Sequence, residues 1–195
     1  MSQDVDRQKK ALRAEIRERR RSAPSTIIDE ATEGLTAQLI ALVEKLGARS
    51  ISCYLPSNFE PNTRPFLTWA HEHNIRSLFP ISREDGLLDW VVGDGSTETE
   101  GLFGVPEAVG EVLSPLAVND VDLMLIPACA VDDQGMRVGW GRGYFDKTLG
   151  SMGQRPPVYA VIFDSEFLDS VPQDLHDQPV SGVVTPTKTV QLPQG

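Results

Sequence analysis

Long apolar runs are missing from this chain of 195 residues. No stretch approaches the ~20 residues a membrane-spanning helix needs, so no membrane partner is expected. Positive charge is also short: 18 Lys and Arg stand against 28 Asp and Glu, a net charge of −10. That balance argues against nucleic acid as a general partner. Cysteine is scarce. Cys53 and Cys129 have no CxxC neighbour and no nearby histidine pair, so the usual zinc patterns are excluded. Both lie in apolar runs, "SISCYL" and "LMLIPACAV", where buried, reduced thiols are expected. There is no GxxxxGK[ST] loop and no GxGxxG fingerprint. Repeats, linkers and low-complexity segments are absent as well, which leaves a single domain over residues 1–195. The polar amino terminus shows no apolar signal region, and the expected location is the cytoplasm.

What is present is unevenly placed. Residues 7–21 hold eight of the 18 basic side chains: Arg7, Lys9, Lys10, Arg13, Arg17, Arg19, Arg20 and Arg21. This Gly- and Pro-free segment predicts a helix over 4–21, with Ser22 as a cap beside the interruption "SAP". Ile27, Ala31, Leu35, Leu39, Leu42 and Leu46 recur at steps of three or four, predicting a second helix over 26–46 that Gly47 ends. The period then changes. Short apolar runs at 50–55, 76–81, 87–92, 121–127, 158–163 and 182–186 predict strands, with helices over 62–74 (Asn62 or Thr63 near its cap) and 144–152 between them. Strands that are apolar throughout and alternate with helices indicate an α/β fold: a mostly parallel sheet with helices on both faces. Ligands in such folds bind at the carboxyl ends of the strands.

One segment there stands out. "RVGWGRGYFDK" (137–147) places Gly139, Gly141 and Gly143 at alternate positions, after a buried strand and before a helix. Alternating glycines let backbone N–H groups converge on an anion, and a helix N-terminus adds its dipole. Arg137 and Arg142 supply forked donors for phosphate oxygens. Asp146 would repel phosphate directly, so its carboxylate suggests Mg²⁺ between protein and phosphates.

The residues "LIPACAVDDQGMRVGWGRGYFDKTL" resemble the signature of the 5-formyltetrahydrofolate cyclo-ligase family, with Asp132, Gly135, Arg137, Gly139, Gly141, Gly143, Tyr144 and Asp146 in register. "KKALRAEIRERR" (9–20), "YLPSNFEPNT" (54–63), "GLFGVPEA" (101–108) and "LHDQPVSGVVTP" (175–186) are similar to further family segments, in the family's order. The resemblance implies a three-layer sandwich with a mostly parallel, open Rossmann-like sheet. It also implies ATP as co-substrate, Mg²⁺, and 5-formyltetrahydrofolate as substrate, with or without a polyglutamate tail. The expected product is 5,10-methenyltetrahydrofolate, and the expected enzyme is a monomer.

The same resemblance distributes roles. Arg142 is the catalytic candidate for the γ-phosphate, and Arg137 supports the loop or a neighbouring phosphate. Lys9 and Arg13, four residues apart on one helix face, reach ATP together with Gly139, Trp140, Gly141, Gly143, Tyr144 and Phe145. Glu60 accepts from N–H groups of the reduced pterin, and Leu55 and Tyr144 line its slot. Trp140 stacks on adenine or pterin, or covers the site; the sequence leaves these open. Asp146 is the metal candidate. The family's second acid in the closing segment is matched to Ser181, a neutral hydroxyl. Lys10, Arg17 and Arg19–Arg21 read as a solvated face, His71 and His73 as structural or exposed, and His176 as structural or hydrogen-bonding. Two other readings compete. A sugar-phosphate isomerase or deaminase would need only one phosphate bound and leave the basic helix idle. A binding module built on residues 7–21 would leave the glycine loop unexplained.

Overall fold

The computed structural model describes residues 3–193. Two long helices open it, α1 (Gln3–Ser22) and α2 (Ser25–Leu46). Gly47 ends α2 in the left-handed region, donating its N–H to the Glu44 carbonyl. Ser22 closes α1, and its hydroxyl donates back to the Glu18 carbonyl. The rest of the chain runs β1 (Ser50–Ser52), α3 (Arg64–Glu72), β2 (Arg76–Ser82), β3 (Leu88–Val92), β4 (Glu98–Glu100), β5 (Pro106–Ala108), β6 (Glu111–Leu113), β7 (Leu123–Pro127), β8 (Ala130–Asp132), β9 (Arg137–Val138), α4 (Tyr144–Ser151), β10 (Val158–Val161), β11 (Phe167–Leu168), β12 (Gly182–Val184) and β13 (Thr189–Gln191). No helix among the described residues is long and apolar enough to cross a membrane.

Eight strands form one sheet, ordered β13-β12-β10-β7-β1-β2-β3-β6. The central strands β12, β10, β7, β1 and β2 pair in parallel. Antiparallel pairing begins at β13 on one side and β3 on the other. Strand β7, "LMLIP", shows why the runs are continuous. Leu123 and Leu125 pack with Leu39 of α2 and Phe66 of α3, while Met124 and Ile126 pack with Leu149 of α4. A strand covered on both faces has no polar side to show. Each such fully buried side chain contributes about 1.5–3 kcal/mol relative to exposure.

The chain leaves β1 toward β2 and β3, then returns to β7 on the other flank of β1. This reversal of strand order opens a crevice at the carboxyl ends of β1 and β7. The β1 ladder ends at Ser52, three residues short of the predicted strand, although Cys53 still donates to the Leu78 carbonyl. Pro56, which has no N–H to give, then carries the chain off the sheet. A second, three-stranded sheet, β11-β8-β9, sits beside the crevice. Its β8–β9 turn is held by buried Asp132, whose Oδ1 accepts the Gln134 and Met136 N–H groups and whose Oδ2 accepts that of Val171.

Candidate active site

Strand β9 ends at the glycine loop, so the hairpin fixes where the loop begins. Arg137 on β9 is only 3% exposed. Its Nη1 donates to the Pro127 carbonyl at 3.3 Å and its Nη2 to Asp146 Oδ1 at 3.1 Å. The arginine therefore ties the end of β7 to the first turn of α4. Gly139 makes room for it: a Cβ there would lie 2.7 Å from Arg137 Nη1. Gly141 turns the chain at φ 97°, in the region that favours glycine. Arg142 behaves differently. It is exposed and lies over the Phe103 ring, 3.5 Å from its centroid, with no ion pair among the described residues. Asp146 accepts a second bond on Oδ1, from the Gln178 N–H at 3.2 Å. Its Oδ2 has no protein donor among the described residues.

Helix α1 lies against this loop. Arg13 Nε donates to the Gly139 carbonyl at 2.7 Å. Lys9 is buried and paired with Asp177 Oδ2. The basic face extends further than the solvated-face reading allowed. Arg17 lines the same cavity, with its guanidinium 5.4 Å from the Trp140 ring centroid. Arg20 is 5% exposed, stands 5.0 Å from the same centroid, and pairs with Glu166 through Nε and Nη2 at 2.7 and 2.8 Å. The missed signal is spacing: Lys9, Arg13, Arg17 and Arg20 follow steps of four, four and three, one stripe of a helix. Arg19 and Arg21 are exposed and pair along the helix with Glu15 and Glu18, as a solvated face should. Trp140 packs with Ile16 of α1 beneath the two arginines. Besides lining the cavity, it seats α1 against the glycine loop.

The segment after β1 forms the opposite wall. Leu55 is buried. The Tyr54 hydroxyl donates to the Pro61 carbonyl, and Thr63 Oγ1 donates to the Tyr54 carbonyl, which folds residues 54–63 into a closed loop. Glu60 Oε2 accepts from the Ser57 N–H and hydroxyl, both at 2.8 Å. Burial pushes the Glu60 carboxyl above the usual range, opposed by the two Ser57 bonds. Asn62 Oδ1 accepts the Arg64 N–H at the start of α3. The Tyr144 hydroxyl is spent on the Arg83 carbonyl, and the residue lines the cavity. Phe59 and Phe103 stand half exposed at the rim, both with left-handed backbone, at φ 70° and 64°.

These elements enclose a cavity of about 610 Å³. Lys9, Arg13, Leu55, Glu60, Arg137, Gly139, Trp140, Gly141, Arg142, Gly143, Tyr144, Phe145 and Asp146 all line it. The sequence reading missed Arg17, Phe59, Phe103 and Asp177, which line it too. It also misplaced one residue. Ser181 precedes β12, at the amino end of the parallel strands, where its Oγ accepts the Val158 N–H and faces a separate cleft. The acids that share the cavity with Asp146 are Asp6, Glu60, Glu107, Asp174 and Asp177, and Asp177 precedes Gln178, whose N–H donates to Asp146. No cluster of three or more His, Cys, Asp or Glu suited to a metal occurs among the described residues. Both thiols are free and buried, and burial pushes each up to about 12, which leaves them inert.

The family model described as the 5-formyltetrahydrofolate cyclo-ligase family matches residues 5–186. A 5-formyltetrahydrofolate cyclo-ligase of Mycolicibacterium smegmatis is 32% identical over 94% of this chain and 96% of its own length. One from Haemophilus influenzae is 24% identical over 89% and 95%. Among solved structures, the 5,10-methenyltetrahydrofolate synthetase of Aquifex aeolicus covers 96% of this chain and 94% of its own, with a TM-score of 0.80 at 24% identity. At that identity the likeness bears on the fold, which is the same mostly parallel sheet flanked by helices.

Proposed function

The chain belongs to the 5-formyltetrahydrofolate cyclo-ligase family, and from that premise we propose how its cavity carries out the reaction. The reaction is the ATP-dependent cyclisation of 5-formyltetrahydrofolate to 5,10-methenyltetrahydrofolate, a C–N bond-forming ligation. The formyl oxygen attacks the γ-phosphorus and ADP leaves. N10 then closes onto the activated carbon and gives up its proton, and phosphate departs with the former formyl oxygen.

One observation carries the assignment of residues. A single cavity joins the glycine loop, the basic stripe of α1 and the loop holding Glu60. A single phosphate would meet only part of the basic stripe of Lys9, Arg13 and Arg17, whereas a triphosphate is long enough to run along it. Arg142, free of protein carboxylates, neutralises charge on the transferring phosphoryl group. Arg137 is already committed to Pro127 and Asp146 and acts by holding the loop in place. Leu55, Tyr144 and Phe145 form apolar walls for the flat pterin, and Glu60 accepts from its N–H groups. Mixing the protein with 5-formyltetrahydrofolate, ATP and Mg²⁺ should produce methenyl absorbance that needs all three. No ATP-dependent signal at high enzyme concentration would sink this reading.

The donor set fits Mg²⁺. Asp146 Oδ2 and Asp177 Oδ1 lack protein donors among the described residues, and two carboxylates completed by phosphates and water suit this ion. When bound there, the ion would offset charge on the phosphates. Asp146→Asn should raise the Mg²⁺ concentration for half-maximal activity by roughly tenfold or more. A titration identical to that of the unaltered enzyme would remove Asp146 from the metal site.

A further inference from the structure

A second cleft, of about 400 Å³, lies between α2 and the amino ends of β10 and β12. It shares no residue with the cavity described above. Lys45, Arg155, Tyr159, Leu42, Pro156 and Ser181 line it, and no carboxylate does, although the chain as a whole carries a charge of −10. Lys45 makes no ion pair among the described residues. Tyr159 is only 6% exposed as a whole, and its hydroxyl, the part left open to solvent, makes no hydrogen bond among the described residues. The place of that ring is built into the sheet: a Cβ on Gly182 would come within 2.3 Å of it. The ring is packed while the hydroxyl stays open to the acid-free cleft it lines, so a donor is free there for an acceptor on a ligand.

We propose that this cleft is a non-catalytic site for a small organic carboxylate. Lys45 and Arg155 draw the anionic group, the Tyr159 hydroxyl donates to it, and Leu42 and Pro156 receive the apolar body. The volume is far more than a bare inorganic anion fills, and a neutral ligand would leave both cations unused. Arg155 suits a carboxylate because its planar fork matches the two oxygens. Burial alone holds the Tyr159 phenol above its ordinary value, which keeps it a donor at neutral pH.

The site also reaches toward the first cavity. Arg155 donates to the side-chain carbonyl of Gln178, and the Gln178 N–H donates to Asp146 Oδ1. A carboxylate that engages Arg155 competes with Gln178, and the change arrives beside Asp146. This inference stands whatever reaction the first cavity performs.

Benzoate titrated into ¹⁵N-labelled protein tests it, with benzyl alcohol and inorganic phosphate as comparison probes. Benzoate should shift the amides of Lys45, Tyr159, Ser181 and Gln178 with one saturable midpoint, and Arg142→Ala should leave that midpoint unchanged. Lys45→Gln and Tyr159→Phe should each weaken benzoate by roughly fivefold, as loss of one ion pair or hydrogen bond does. Lys45→Gln should keep the basal turnover. Shifts confined to the Trp140–Gly143 loop, or no saturation at Tyr159 and Ser181, would overturn the site. Equal binding of benzyl alcohol would overturn its anionic character, and equal binding of phosphate the need for an apolar body. A Gln178 amide that stays fixed while Tyr159 saturates would refute the link to Asp146.

Discussion

Arg142→Ala lowers kcat by about 10²–10³-fold, the usual cost of deleting one charge-stabilising donor at a transferring group. The fold barely notices. Arg142 is exposed and its one resolved contact is the face of Phe103, which is worth about 0.5–1 kcal/mol at an exposed site. On the proposed assignment Lys9, Arg13 and the loop backbone still meet ATP, so KM should change less than kcat. Steady-state kinetics beside a urea melt separate the two effects. A well-folded variant with unchanged kcat would refute the role. Among the described residues Arg142 shares with Arg17 the lack of any ion pair or hydrogen bond, but it alone of the two stands in the glycine loop. Arg137 is held by Pro127 and Asp146, Arg20 by Glu166, and Arg13 by Gly139.

Glu166→Ala produces the largest loss of stability, about 3–5 kcal/mol, the range for breaking a buried ion pair from one side. Glu166 is 1% exposed, and its carboxylate accepts both Arg20 bonds and the Phe163 N–H. Without it, the Arg20 charge remains buried against the rings of Trp140 and Phe163. Urea unfolding reads the loss directly. Replacing both partners, Arg20→Met with Glu166→Leu, should recover much of it, because the uncompensated charge is then gone. A single variant that loses less than about 1 kcal/mol, no more than an exposed pair is worth, would show that the pair does not anchor α1.

The contrast between these two arginines shows where sequence reading worked and where it stopped. "VDLMLIP" and "VYAVIF" could be read because strands buried on both faces have a composition unlike any surface. The glycine loop could be read because three alternate glycines have no purpose in a regular element. Arg20 could not, because a charge on a helix looks the same whether its partner is water or a glutamate 146 positions away. Ser181 was matched by its place in a linear motif. Only the direction of β12 reveals that Ser181 lies at the amino ends of the parallel strands, in a cleft separate from the cavity that Asp146 lines. Asp177 is carried to the cavity by the turn before it, in which its own N–H donates to the Asp174 carbonyl. The smallest strands, such as β8, β9 and β11, have two or three residues each, too few to show any period.

The reaction assigned to the cavity has one consequence that no alternative use of ATP shares: the formyl oxygen must leave on phosphorus. Supplying 5-formyltetrahydrofolate labelled with ¹⁸O in the formyl group, with unlabelled ATP and water, should place one labelled oxygen in each inorganic phosphate released. Label recovered in water, with none in phosphate, would contradict the account.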